Sequence, residues 1–272
     1  MRGHLWYFKK EDTRMNDQKK WDQAASDYQR VFRLGLNEYN SELIRFWQEK
    51  GMLFPGARVI DIGCGVGRYG TYFAELGCNV TLVDISGEML RHAEKNMSRY
   101  KTPWAAYRCD FNEVTGEEPV FAGGFDLTIS TMSPAVHDAE TVRKMSRMTR
   151  GWCFLARFAD WNQPFRDQLM RQLGIQPRRL FGDLKADCSG MIRAVSEAGY
   201  TPEVRVVDYN WADSRTPEEM ADYMYRYYFS EEENKDSLYS EALHMVKDLA
   251  GTDGIIIDSV NTKAAWIYWK AE

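Results

Sequence analysis

Val59-Ile60-Asp61-Ile62-Gly63-Cys64-Gly65-Val66-Gly67-Arg68-Tyr69-Gly70 decides the fold. The run from Arg58 to Ile62 is short and rich in β-branched residues, as a buried strand requires. Three alternating glycines let the backbone turn sharply. A helix follows through Tyr72, Phe73 and Leu76 and ends at Gly77. Strand, glycine turn and helix form the opening unit of a β-α alternation.

Outward from that unit the alternation continues. Val80 to Val83 reads as a second strand, and residues 87 to 99 as a helix with Met89, Leu90 and Ala93 inward. Trp104 to Cys109 is a third strand. Phe125 to Ile129 is a fourth after the Gly123-Gly124 turn, backed by a helix marked by Val142, Met145 and Met148, and Trp152 to Phe158 is a fifth. Repeated β-α units predict an α/β fold with a doubly wound, mostly parallel sheet and helices on both faces.

The flanks differ. Residues 1 to 16 are charged and unpatterned, a loose arm. Apolar residues then recur at helical spacing from Trp21 through Val31 and Phe32 to Trp47, and Gly35 divides them into two helices. Residues 1–50 are therefore expected to form an arm and helical cap, and 51–272 the main domain. Towards the end, a helix from about Asp183 to Ala198 precedes an extended segment from Glu203 to Tyr209, and 216 to 250 reads as two helices. Ile255 to Ile257 and an alternating strand from Ala264 to Trp269 close the chain. A helical insertion at 213–250 before the last strand is the natural lid.

The glycine loop admits two readings. Gly65-x-Gly67-x-x-Gly70 satisfies a dinucleotide fingerprint, whereas Asp61-x-Gly63-x-Gly65-x-Gly67 sets a carboxylate at the strand end. In both, a ligand approaches N–H groups left free at the start of the following helix. A dinucleotide would bring an anionic pyrophosphate towards Asp61 in a site of reduced dielectric. S-adenosylmethionine presents an ammonium and a sulfonium, for which the same carboxylate is attractive. Asp84, ending the second strand, suits a ribose diol, and it also fits the entry to the next helix. Asp110 and Phe111, after the third strand, offer a carboxylate for an adenine amino group and an apolar ring beside the base.

Composition narrows the class. Thirty-five Lys and Arg against 40 Asp and Glu give a net charge of −5, so there is no bulk positive field to gather nucleic acid or anionic lipid. Arg178-Arg179 is too small a basic cluster to argue for RNA. The five cysteines lack a C-x-x-C pair, which argues against a disulfide framework or structural zinc and fits a reducing cytoplasm. Leu5-Trp6-Tyr7-Phe8 is too short for a signal-peptide core, and nothing later reaches membrane-span length. Aromatic residues reach 14%, and several gather at Trp21 to Trp47 and Met220 to Phe229, segments expected to cover the strand ends.

On these motifs the chain resembles the class I, Rossmann-like S-adenosylmethionine-dependent methyltransferases over roughly residues 21 to 160. Val59 to Gly67, Val83-Asp84-Ile85, Cys109-Asp110-Phe111 and Phe125-Asp126-Leu127 match that family's first four motifs in order. Trp21-Asp22-x-Ala24-x-x-x-Tyr28 is similar to the leading helix that closes over the cofactor in small-molecule members. The resemblance implies a seven-stranded sheet whose last strand is antiparallel. It implies S-adenosylmethionine held by Asp61, Gly63, Cys64, Gly65 and Gly67, by Asp84, Ile85 and Met89, and by Asp110, Phe111 and Ser130.

Ligands in open α/β sheets lie beyond the carboxyl ends of the strands, so Ser130 to Asp138 should face the transferred group. Met132 and Ser133 stand where amino-methylating relatives carry an acidic or amide residue and prolines, which puts base N-methylation in doubt. His137 is the candidate catalytic base, or a loop histidine beside the helix cap at Asp138. Arg157 and Asp160-Trp161, after the fifth strand, bind an anionic or polar substrate group or form a surface ion pair. Trp21 and Tyr28 on the leading helix, with Met132, Ser133 and Tyr225, complete the expected substrate contacts; Tyr225 faces either substrate or solvent. Met220, Tyr223, Met224, Tyr227 and Tyr228 form a stripe expected to pack on a core, and Glu231 to Glu233 a solvated helix start. The reading is methyl transfer to a small-molecule acceptor. The alternatives are an RNA or protein methyltransferase, a non-catalytic binder of the cofactor, and an NAD-dependent oxidoreductase.

Overall fold

The computed structural model describes residues 14–33, 35, 37–115, 117–122, 124–178 and 183–272. Leu5 to Phe8, the rest of the expected arm to residue 13, Gly123, Arg179 and the side chain of Val31 lie outside the described residues. Helix α1 (Arg14–Phe32) begins inside the expected arm, and α2 (Glu38–Glu49) is opened by Asn37, whose side chain accepts from the Asn40 N–H. Then come β1 (Arg58–Ile62), α3 (Arg68–Glu75), β2 (Asn79–Asp84), α4 (Gly87–Met97), β3 (Trp104–Arg108), β4 (Phe125–Thr131), α5 (Ala139–Arg147) and β5 (Thr149–Asn162). The chain continues through α6 (Pro164–Gln172), α7 (Leu184–Glu197), β6 (Glu203–Asp208), β7 (Trp211–Arg215), α8 (Pro217–Tyr227), α9 (Lys235–Leu249) and β8 (Ile256–Lys270). None of the helices in the described residues is long and apolar enough to cross a membrane.

The described residues divide into two units, one holding 14–159, 184–207 and 264–272, the other 160–178, 183 and 208–263. In the larger unit β1 is central, parallel to β2 from Arg58↔Asn79 to Ile62↔Val83 and to β4 from Val59↔Leu127 to Asp61↔Ile129. The sheet order is β3-β2-β1-β4-β5-β8-β6, so the last strand is inserted between two earlier ones. Seven strands lie on that path, and β7, paired with β8, makes the sheet eight-stranded where seven strands were expected.

The larger core packs Ile60, Ile62 and Val83 against Met145, Leu155, Val195 and Ile267. Beside them α2 contributes an aromatic cluster. Trp47 lies 5.1 Å from Phe154 and 5.5 Å from Tyr69 between ring centroids, and Phe46 lies 4.9 Å from Trp266. Each fully buried ring of this kind stabilises the fold by roughly 1.5–3 kcal/mol. The α2 aromatics are thus core, a correction to their expected place over the strand ends.

In the smaller unit α8 and α9 pack on each other and bury Met220, Tyr223, Met224 and Tyr228 with Leu238, Ala242 and Val246. The aromatic stripe is core, as expected. β7 runs antiparallel to the start of β8, Trp211↔Val260 to Arg215↔Ile256. Two findings depart from the sequence reading here. Residues 256–270 form one strand, with burial alternating only to Lys263 and continuous from Ala264 to Trp269. Glu231 to Glu233 precede α9 rather than start it, and Arg178 pairs with Glu231 and Glu232 at 3.7 and 3.5 Å.

Candidate functional site

The glycine loop leaves β1 at its carboxyl end with Gly63, Gly65 and Gly67 at φ of 72°, 55° and 77°, the left-handed region that only glycine adopts freely. Its N–H groups point into the protein. Gly63 and Cys64 both donate to the Val83 carbonyl (2.8 and 3.0 Å), and Gly67 donates to the Cys64 carbonyl (3.0 Å). Gly65 donates to Asp84 Oδ2 at 2.8 Å. The expectation of free loop N–H groups is therefore corrected for these four residues. A phosphate cradle needs such donors open, and here they are engaged.

Asp61 and Asp84 close the floor of this loop. Asp61 is 1% exposed, and its Oδ1 has no hydrogen-bond partner. Burial, reinforced by the charge of Asp84, pushes its carboxyl up to about 8. Asp84 is also buried and rises to about 6 by burial, partly offset by N–H donors from Ser86 and Gly65. The Ser86 N–H meets Asp84 Oδ1 at 2.9 Å, while Ser86 Oγ caps α4 by accepting from the Met89 N–H at 3.1 Å. Ser86 is the cap, and Asp84 holds it in place. Ser86 Oγ in turn donates to Asp22 Oδ1 at 2.5 Å, which brings α1 to the same corner. Burial alone would raise Asp22, but bonds from Ser86, the Glu88 N–H and Gln18 hold it below the usual carboxylate range.

The remaining expected cofactor residues fall around this corner. Met89 is buried with its sulfur beside Gly65, since a Cβ there would lie 3.9 Å from it. Cys64 is buried, and burial raises its thiol. Ile85 is half-buried between Asp84 and Ser86. Asp110 Oδ1 accepts from the backbone and side-chain nitrogens of Asn112 at 2.9 and 2.8 Å, which folds the turn after β3. Phe111 packs in the core with Val83 and Val136. Ser130 is fully buried on β4, and its hydroxyl has no hydrogen-bond partner.

After β4 the chain strains. Met132 has φ 50°, a conformation that glycine favours. The turn sets Ser133 against Gly63, where a Cβ would lie 1.9 Å from Ser133 Oγ. Arg157 is buried and donates to the Ala156 carbonyl at 2.9 Å and to the Val136 carbonyl, pinning this loop. The surface position expected for Arg157 is thereby corrected. His137 is half exposed, 3.6 Å from Asp138 Oδ2, and its N–H donates to Thr141 Oγ1 within the α5 capping box.

Trp21 and Tyr28 are half-buried on α1 and meet edge to face at 6.1 Å. Tyr225, in the smaller unit, joins α8 to α9 through a 2.9 Å bond to Asp236. Sequence reasoning carries Asp22 only as part of the leading-helix motif, with no role of its own, and does not single out Gln29 or Asn96. The available signal was polar side chains on helix faces that otherwise turn inward.

The methyltransferase-domain family model matches residues 59–151. The malonyl-[acyl-carrier protein] O-methyltransferase of Enterobacter lignolyticus is 31% identical over 96 residues, covering 35% of this chain and 35% of that protein. The ubiquinone biosynthesis O-methyltransferase of Aromatoleum aromaticum is 30% identical over 136 residues, covering 48% and 55%. The matches thus span about half or less of these curated relatives. Among solved structures, phospholethanolamine N-methyltransferase 2 of Haemonchus contortus shares the fold with a TM-score of 0.51 at 17% identity, over 94% of this chain and 58% of that one. The acidic strand ends and the glycine loop lie inside the stretch that matches the methyltransferase-domain model, so residues 59–151 are similar to a methyltransferase domain, and the solved structure shows the same fold.

Proposed function

We propose that the chain transfers the methyl group of S-adenosylmethionine to a small-molecule acceptor. The observation that carries this is the buried pair Asp61 and Asp84 beneath a loop in which the N–H groups of Gly63, Cys64, Gly65 and Gly67 are already engaged. Two carboxylates without a cation are unfavourable in a buried site. A cationic ligand relieves that repulsion, and a phosphate increases it. The donor set therefore fits S-adenosylmethionine.

When bound, this cofactor supplies a methyl group on a sulfonium, an electrophile open to an acceptor's lone pair. Asp61 would counter positive charge, and Asp84 and Asp110, each with acceptor capacity beyond the bonds it makes, would take hydroxyl or amine donors. Met89 and the engaged glycine loop would exclude water beside the adenosine. Ser130, Met132 and Ser133 would border the acceptor. Alignment of the acceptor carries most of the rate in this reading, with His137 a secondary proton acceptor.

The net negative charge and the relatives' names, a ubiquinone-pathway and a malonyl-carrier O-methyltransferase, support a small acceptor over nucleic acid. Five free cysteines support a reducing cytoplasm as its place of work. The test is incubation with methyl-labelled cofactor and separate pools of metabolites, RNA and protein. Label should enter the metabolite pool; label in RNA or protein alone would overturn the acceptor class.

A further inference from the structure

The contact of α1 with α4 contains a buried polar pair, where helix contacts are usually apolar. α1 buries Ala24 and Ala25, two small side chains, and between its larger residues it also buries Gln29. Gln29 Nε2 donates to Asn96 Oδ1 at 3.0 Å, and Asn96 Nδ2 donates back to Gln29 Oε1 at 2.8 Å. The same Asn96 nitrogen donates to the Val66 carbonyl at 2.9 Å. Val66 lies between Gly65 and Gly67 at the crown of the glycine loop. One amide therefore holds a helix with one hydrogen and the loop with the other.

A structural role alone explains this arrangement poorly. Two facing amides replaced by apolar groups of the same shape would anchor a helix about as well. The amide pair differs in being geometrically strict: movement of the Val66 carbonyl obliges Asn96 to rotate and lose its match to Gln29. The match therefore adds a strict orientational requirement to whatever apolar contact α1 makes. A second attachment lies at the other contact with the site, where Asp22 Oδ1 accepts from Ser86 Oγ and from the Glu88 N–H at 3.1 Å. α1 thus reads both the glycine loop and the turn after β2.

We infer that the Gln29–Asn96 amide pair is a latch that couples the docking of α1 to the conformation of the glycine loop, making Gln29 and Asn96 positioning residues for the ligand held there. The inference rests on the cofactor reading above. If α1 docking favours the ligand-competent loop, reciprocity requires the ligand to favour docked α1 to the same degree. Departure of the product would then loosen α1.

The test is amide hydrogen exchange over residues 18–32 with and without S-adenosylhomocysteine, joined to calorimetric titration of the same ligand. It uses the full chain, Gln29→Leu, and the swapped pair Gln29→Asn with Asn96→Gln. The wild-type helix should gain protection on binding. Gln29→Leu should lose that gain and bind about five- to tenfold more weakly, one buried hydrogen-bonded contact's worth, with exchange in β1 and β4 unchanged. The swapped pair should recover part of both. A wild-type chain that binds without added protection in α1 overturns the latch while leaving the cofactor reading intact, as does Gln29→Leu with wild-type affinity and protection. A wild-type chain that fails to bind at all overturns both. Should Gln29→Leu not fold, the wild-type comparison and the swapped pair decide the matter.

Discussion

Asp61 and Asp84 stand on adjacent parallel strands, both buried, and their bonding is unequal. Asp84 accepts an N–H on each oxygen, whereas Asp61 Oδ1 accepts none. The charge of Asp84 adds to burial in raising Asp61. The site is thus set for a positive partner, and it holds Asp61 protonated near neutral pH until that partner arrives.

Binding should therefore be linked to pH. A cation at Asp61 favours its ionised form, so association expels a proton below about pH 8 and tightens by up to about tenfold per unit between roughly pH 6 and 8. Calorimetry in buffers of different ionisation enthalpy should report that proton. In the ligand-free chain the sign reverses: Asp61 and Asp84 bind more protons folded than unfolded, so their stabilising contribution is lost as pH rises from about 4 through 6 to 8. Asp61→Asn should flatten both profiles; unchanged profiles would contradict the assignment.

Gly63 is fixed by Ser133 as well as by its own backbone. Gly63→Ala places a Cβ at positive φ and 1.9 Å from Ser133 Oγ, which should cost roughly 1–2 kcal/mol for the left-handed backbone and more for the displaced turn. Ser133→Gly in the same chain should recover the second part only. Thermal melts of the two variants check this; equal melting points would show that the turn does not rest on Gly63.

The parts of the fold legible in the sequence are those where apolar residues fill the inward positions. β1, β2, β4 and the helices between them follow that rule, and so does the stripe on α8. β7 was missed because its inward positions are Trp211, Asp213 and Arg215, two of them charged. α6 was missed for a similar reason, since Arg166 and Asp167 are buried on it. At the site, the acidic strand ends were visible as residue types at known spacing. The engagement of the loop N–H groups and the reach of Asp22 and Asn96 were not, because most of these bonds depend on which groups meet across 19 to 67 positions of chain.

Those buried charges form one network in the smaller unit. Arg166 grips Asp258 with Nε and Nη2, the shortest bond 2.8 Å, and donates to the Tyr223 hydroxyl at 3.0 Å; Arg215 pairs with Asp213 at 2.8 Å. Arg166 is 1% exposed and Asp258 0%. Asp258→Ala should destabilise the chain by about 3–5 kcal/mol, because it strands a buried guanidinium, and Arg166→Met with Asp258→Leu should cost less than either single change. Urea unfolding checks the order; a single change costing under about 1 kcal/mol would refute it.

His137 is half exposed on the loop after β4 and adjoins Asp138. His137→Gln should keep kcat within about tenfold, since a positioned general base contributes roughly a hundredfold or more. A larger fall, with loss of the acidic limb of the pH profile, would make His137 the catalytic base.

The most direct test is calorimetric titration of the full chain with S-adenosylmethionine, repeated with NAD and with Asp61→Asn. Saturable binding of S-adenosylmethionine, weakened at least about a hundredfold by Asp61→Asn, and no response to NAD is the result expected. Tight NAD binding without response to S-adenosylmethionine, or wild-type affinity in Asp61→Asn, would contradict the account.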